Sequence, residues 1–510
     1  MMQVRRVLDF LRRRLPEMAL GLLLAGQLAY LLQVFPLSSR FFLNPDDYTA
    51  FQFARRLPQT LIPVLPYDLP MYSVSNYGIF GSQSALLNQD HFLVPRGPPG
   101  VFYLLAPFAA VSLDAANIGM MVLCAATYVA LYAYLRPATG PWAALVGTCF
   151  FMFAPSSLFW SSFLLANVPA IGVLLLGLML MRRPRPLVSG LGGLILCLSI
   201  LFRYEYVVLV FAIGAFWVFR NLYDLRSRKT ARLAVVGGVL VGLVLVVGLS
   251  WALYQTPNFV AATIKQGDSA TETLANTVGT TKTDNIRDNF GLVATTFAAY
   301  LVATVALLWT RAGRRAELIG LTLGATILAV FFLGNTFTVT PFFFNRSLVR
   351  YFIPITLLGA MGVAYLFSAT KGHWGVPFTI ATLVIVSAVS SMVFASGSEG
   401  FGYAKEYIAT EKEEIRQAEL LAAAHPQTIL IGEHSSKEFV DLPVIAPFFH
   451  LPDAIEKNET KRVVHELLQD GHHVYGLNRY AGDYRQLLSR DSRFLISPSG
   501  QPLYWEVSLV

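Results

Sequence analysis

The sequence predicts a polytopic α-helical membrane protein of about eleven transmembrane helices, followed by a small C-terminal α/β domain outside the membrane. Three observations predict it. Of the 510 residues, 55% are hydrophobic and only 14% charged, whereas a soluble globule carries about 25% charged residues. Mean hydropathy is +0.54. Basic residues fall in clusters between apolar runs, and from residue 396 the composition turns polar and acidic.

The N-terminus, "MMQVRRVLDFLRRRLPEMALGLLLAGQLAYLLQVF", sets a basic segment before an apolar stretch. No small-residue cleavage site follows, so it reads as an uncleaved first span. The apolar runs number about twelve, but the positive-inside rule needs one of them not to cross. The candidate is "PPGVFYLLAPFAAV" at 98–111, at about 14 residues short for a span and suited to an interfacial segment. The remaining spans fall near 18–36, 116–135, 141–157, 163–181, 187–202, 205–219, 233–254, 291–310, 317–335, 348–368 and 376–395. This order places the N-terminus in the cytoplasm and the C-terminus outside. The net charge of +8 then resolves into +14 on the cytoplasmic segments, 0 on the outer loops and −6 on the tail. It is a signature of membrane orientation, not of nucleic-acid binding. The expected location is the plasma (inner) membrane. Cys124, Cys149 and Cys197 lie in apolar runs and read as buried small hydrophobes.

Residues 1–395 are thus expected to form the membrane domain and 396–510 an extracytoplasmic domain. The first outer loop, 37–115, holds many aromatics and prolines, and 46–57 has helical propensity with Asn44 or Asp46 as its N-cap. The loop 255–290 is polar and Thr-rich, a lid or a passive connector. In the tail, "KEYIATEKEEIRQAELLAAA" reads as an amphipathic helix, and "QTILIG", "HHVYGL", "RFLISP" and "LYWEVSLV" as strands, with a helical pattern near 459–470. His434, His472 and His473 lack a third ligand at metal-binding spacing.

The polar residues that this topology gathers at the outer face are Asp46 and Asp47 after the first span, Asp90, His91 and Arg96 before the interfacial segment, and Asn167 at the fourth span. Arg203 and Glu205 in "LFRYEY", and Asn345, Arg346 and Arg350 in "FFFNRSLVRYFIP", complete the set. Ionisable groups beside hydrocarbon are costly and point to function. Arginines offer a fork that grips phosphate, and a carboxylate can deprotonate a hydroxyl. Each residue also has a plainer reading. Arg346 and Arg350 could snorkel at a helix end, Arg203 and Glu205 could be a structural ion pair, and Asp47 could face solvent.

The order of these features resembles the C-type integral membrane glycosyltransferases (GT-C), especially the branch of protein O-mannosyltransferases and the lipid A aminoarabinose transferase. The motifs are the acidic pair in "DDYTAFQFAR", the basic-Pro-Pro segment in "PRGPPGVFYLLAP" and "RYFIP" at a late span, over roughly residues 1–395. The resemblance implies an inverting transfer of a sugar from a polyprenyl phosphate to a hydroxyl of an acceptor protein, lipid or glycan. By position it makes Asp46 the general base and Asp47 an orienting acid. It places Arg96, Arg203, Arg346 and Arg350 at the donor phosphate. Asp90, His91, Glu205, Asn167 and Tyr351 are left to contact substrate. Asn167 stands where many relatives carry an acid, which disfavours a divalent metal, and no other cofactor is implied. Two other classes remain: a transporter or flippase, against which no internal repeat is seen, and a non-catalytic membrane scaffold, which has no need of converging acids and arginines.

Overall fold

In the computed structural model the described residues are 2–37, 45–66, 77–79, 85–87, 92–95, 98–222, 229–254, 305, 316–333, 353–370, 375–397, 400–431, 444–447, 453–478 and 482–510. Helices are α1 (Met2–Val34), α2 (Pro45–Thr60), α3 (Gly100–Ala109), α4 (Leu113–Thr139), α5 (Pro141–Met152), α6 (Pro155–Trp160), α7 (Asn167–Met181), α8 (Pro186–Leu198), α9 (Tyr206–Leu222) and α10 (Lys229–Tyr254). They continue with α11 (Ala316–Leu333), α12 (Ile353–Ala369), α13 (Gly375–Ser396), α14 (Phe401–Ala424), α15 (Asp453–Gln469) and α16 (Gly482–Ser489). Strands are β1 (Leu65–Pro66), β2 (Tyr77–Ile79), β3 (Ala85–Leu87), β4 (Phe92–Pro95), β5 (Thr428–Ile431), β6 (Val444–Pro447), β7 (His473–Leu477), β8 (Phe494–Pro498) and β9 (Tyr504–Leu509).

Proline sets many of these boundaries. Helices α2, α5, α6 and α8 each begin on proline, whose fixed φ and missing N–H suit the first helical position. This corrects one expectation: α2 starts at Pro45, so Asp46 lies inside its first turn and is not the N-cap. Among the described residues four helices are long and apolar enough to cross a membrane, at 14–34, 113–139, 230–254 and 375–393, and shorter apolar helices of 10–17 residues accompany them. The chain is a multi-pass membrane protein. The segment at 98–111 forms the ten-residue helix α3, and the expected span at 291–310 lies outside the described residues.

The chain divides into two compact units. The first comprises 1–37, 114–249 and 268–403. Its helices pack mainly as the pairs α7–α8, α9–α11 and α5–α12. Close approach depends on small residues: a Cβ on Gly192 of α8 would lie 2.4 Å from the Met181 backbone nitrogen at the end of α7. Such contacts let backbones meet where lipid offers no hydrophobic drive. An aromatic cluster fills one part of the unit. Phe159 packs on Phe163 at 5.0 Å and on Phe401 at 5.1 Å between ring centroids, and Phe35 on both Phe163 and Phe401 at 5.5 Å. Gln27 within α1 donates from Nε2 to the Met152 carbonyl at 2.9 Å, which satisfies a buried amide.

The second unit comprises 38–113, 250–267 and 404–510. Its larger sheet has the order β2-β6-β5-β7-β9-β8. β5 pairs parallel with β6 and β7, whereas β2–β6, β7–β9 and β8–β9 are antiparallel. Alternation along the strands supplies two apolar faces. Ile429, Ile431, Val474 and Trp505 pack with Val463, Val464 and Leu467 of α15 and Leu488 of α16. Leu430, Tyr475 and Tyr504 pack with Ala418 and Leu421 of α14. Helices therefore cover both faces, as a parallel core requires. The tail strands read from the sequence coincide with β5, β7, β8 and β9 to within about two residues at each end. Strand β2 comes from the first long loop, 77–79, and no local pattern announces it. A smaller antiparallel sheet, β1-β4-β3, also forms in that loop. The hydroxyl of Tyr254, the last residue of α10, donates to the Pro95 carbonyl at the end of β4 at 2.5 Å.

Candidate functional site

In the first unit a charged cluster sits at a chain break. Helix α8 ends at Leu198, tightens into a 3₁₀ turn over Ser199–Leu201, and α9 resumes at Tyr206. Between them "FRYE" turns the chain, with the Arg203 N–H donating to the Ser199 carbonyl at 3.3 Å and the Tyr206 N–H to the Arg203 carbonyl at 2.9 Å. Arg203 is buried, at 9% exposed. Its Nε donates to Glu205 Oε1 at 2.7 Å, and its Nη2 closes a second, shorter contact to the same oxygen. Its Nη1 donates to Asn167 Oδ1 at 2.5 Å.

That last bond fixes the Asn167 amide. The oxygen must face the guanidinium, because an amide N–H there would meet a donor. Asn167 is 2% exposed. Its Nδ2 has no hydrogen-bond partner among the described residues. Asn167 is also the first residue of α7, and Ala166 before it provides no side-chain cap. Arg203 and Glu205, read from the sequence as a possible pair, and Asn167, a separate candidate 36 residues before Arg203, are thus one bonded cluster. Here the ion pair has a third member, and one side of that member is an uncommitted donor.

The acidic pair belongs to the second unit. Asp46 and Asp47 occupy the first turn of α2, where the helix dipole favours negative charge. Asp47 is 1% exposed, which corrects its solvent-facing reading: it shares the buried face of the helix with Ala50, Phe51 and Ala54. Phe51, Phe53, Ala54 and Leu57 are buried along it, and Phe53 stacks on Phe102 of α3 at 5.8 Å. The helix ends as Leu61 enters the left-handed region, φ 62°, with its N–H on the Leu57 carbonyl at 2.9 Å. Arg55 and Arg56 are exposed on the remaining side.

Asp90, His91, Arg96, Arg346, Arg350 and Tyr351, and the loop 255–290, lie outside the described residues, as does the side chain of Asp46. Strand β4 occupies 92–95, between His91 and Arg96 in the chain. Sequence reasoning missed Gln52 of α2, a buried amide whose Nε2 has no partner among the described residues. Its only signal in the sequence was a polar residue set between Phe51 and Phe53. Among the described residues no group of three or more His, Cys, Asp or Glu is placed to hold a metal ion.

The fold has counterparts among solved structures. The chain is similar to ArnT from Cupriavidus metallidurans bound to undecaprenyl phosphate, with a TM-score of 0.55 and 14% identity over 96% of this chain and 97% of that one. The apo state of the same protein gives a TM-score of 0.55 and 14% identity over 96% and 98%. The oligosaccharyltransferase of Archaeoglobus fulgidus, in complex with Zn and sulfate, gives 0.50 and 11% over 95% and 73%. No protein-family model matches the sequence, and no curated protein matches it significantly. At these identities the likeness is one of fold.

Proposed function

We propose that the protein is an inverting glycosyltransferase that moves a sugar from a polyprenyl-phosphate donor to an acceptor hydroxyl at the outer face of the membrane. The observation that carries this reading is the buried Arg203, locked by Glu205 and Asn167 at a helix break, within a fold shared with ArnT. A guanidinium fixed in this way is ready to receive anionic charge without reorganising.

In this mechanism Asp46 takes the proton of the acceptor hydroxyl as its oxygen attacks the anomeric carbon. The bond from that carbon to the phosphate oxygen breaks, and its electron pair leaves with the lipid phosphate. Asp47, buried at the start of α2, orients the acceptor or the helix. Arg203, with Arg96, Arg346 and Arg350, balances the charge of the leaving phosphate. Glu205 holds Arg203, and Asn167, Asp90, His91 and Tyr351 contact substrate. The reaction needs no divalent cation in this scheme, because arginines supply the positive charge. The ArnT neighbour binds undecaprenyl phosphate, which makes a lipid of that kind the first donor carrier to try. The acceptor classes are protein, lipid and glycan.

The test is transfer from a panel of labelled polyprenyl-phosphate sugars in membranes containing the protein, with the anomeric configuration of the product read by NMR. Turnover with inversion supports the reading. A retained configuration, or no turnover from folded protein with any donor, contradicts it.

A further inference from the structure

Helix α7 begins without a cap. The backbone N–H groups of Asn167 and Val168 have no acceptor among the described residues, and Val168 is 0% exposed. The Asn167 Nδ2 adds two more N–H bonds, also buried and without a partner among the described residues. Buried donors left unpaired are costly. Here several lie on one residue and its neighbour, at the positive end of a 15-residue helix, next to a guanidinium. Arg203 already commits donors to Glu205 and Asn167, so its role is to fix the amide's orientation and to add charge. Beside it the Arg203 and Glu205 side chains keep 11% and 19% exposure.

We infer that the N-terminus of α7, with the Asn167 amide as its centre, is a phosphate-oxygen cradle. Three kinds of donor lie at this helix end: two backbone N–H groups, a primary amide and, across the amide, the guanidinium that holds its oxygen. All of them are acceptor-seeking, which selects an oxyanion. The carboxylate of Glu205 offsets part of the charge of Arg203, and the amide and the helix end, whose partial charge is about half a unit, add to what remains. That balance suits a singly charged phosphodiester oxygen. The identification of the phosphate as that of a lipid donor rests on the proposed function. The cradle itself rests on the buried donors.

Asn167→Asp tests it with little disturbance to the fold. Its carboxylate still accepts from Arg203, while both amide N–H bonds are lost and a negative charge enters. Binding of undecaprenyl phosphate and of inorganic phosphate would be measured on the purified full-length protein in nanodiscs, with uncharged undecaprenol as the control and thermal unfolding as the check on folding. The expected result is a loss of undecaprenyl phosphate affinity of about tenfold or more, with an unfolding temperature equal to or above that of the native protein. A loss confined to inorganic phosphate would keep the cradle and assign it to the free ion. Equal affinity of native and variant for both phosphates overturns the inference. Sugar transfer by the native protein, assayed in parallel, separates the two claims: turnover with equal affinities leaves the transferase reading standing and removes only the cradle.

Discussion

Two arginine–carboxylate pairs in this protein share the same spacing and differ in almost everything else. Arg203 and Glu205 lie two residues apart at a helix break, with side chains 11% and 19% exposed. Asp491 and Arg493 lie two residues apart after α16, with the arginine side chain 49% exposed. Both use a fork: Arg493 reaches Asp491 through Nε at 3.0 Å and Nη2 at 2.9 Å. In the outer pair the arginine is hydrated while the Asp491 side chain keeps 14% exposure, and such a pair adds little beyond local order. The inner arginine is the more shielded of the two, at 11% side-chain exposure, has recruited the Asn167 oxygen as a third partner, and sits among apolar helices. The same two residue types therefore make a two-residue clip in one setting and part of a buried three-residue cluster in the other.

The largest expected effect comes from breaking the inner pair. Arg203→Met leaves the partly buried Glu205 and the Asn167 oxygen without their partner and should destabilise the protein by about 3 kcal/mol, measured as a fall in unfolding temperature in detergent. The double change Arg203→Met with Glu205→Gln should recover much of that stability but none of the donor-phosphate affinity. Recovery of both would reduce the cluster to a structural clip like its outer counterpart.

The tail sheet is held by packing where the inner site is held by charge. A Cβ on Gly476 in β7 would lie 2.0 Å from the Trp505 ring, so Gly476→Ala should cost about 1–3 kcal/mol through overpacking, seen in thermal unfolding followed by tryptophan fluorescence. A smaller effect is expected at the sheet edge. Strand β2 pairs with β6 through Gly78 opposite Ala446, and Gly78→Pro removes a backbone donor, at a cost of about 1 kcal/mol. Hydrogen exchange at 444–446 should quicken in this variant. Unchanged exchange would mean that β6 does not depend on β2.

The smallest effect belongs to the outer pair. The side-chain hydrogen bonds from Arg493 hold the Asp491 carboxyl well below the usual carboxylate range, with the charges of Arg493 and Lys461 adding to the shift. A depressed folded value means that the contribution is present at neutral pH and fades as pH falls below about 4. Asp491→Asn should therefore cost under about 1 kcal/mol at pH 7, and denaturant titrations should show the difference shrinking on acidification.

Much of this was readable from the sequence because it is local. Apolar runs between basic clusters became helices, proline marked where several of them start, and alternating residues near 428, 473, 494 and 504 became strands. The Arg203–Glu205 pair was legible because a charge inside an apolar run is conspicuous. Its bond to Asn167 was not, since it joins helices 36 residues apart in the chain. Strand β2 was invisible for the same reason: three residues carry no period, and its partner lies more than 360 residues away. Asp46 was mistaken for a possible cap because Asp suits that position, while Pro45 suits the first helical position better.

The most direct measurement of the central claim is sugar turnover from an active polyprenyl-phosphate donor by Asp46→Asn and Asp47→Asn, each at expression matched to the native protein. The account predicts that Asp46→Asn lowers kcat by about 100-fold or more, as loss of a general base does, with donor affinity retained. It predicts a smaller loss for Asp47→Asn. Native turnover in Asp46→Asn would contradict the assignment of the base, and with it the mechanism proposed for this site.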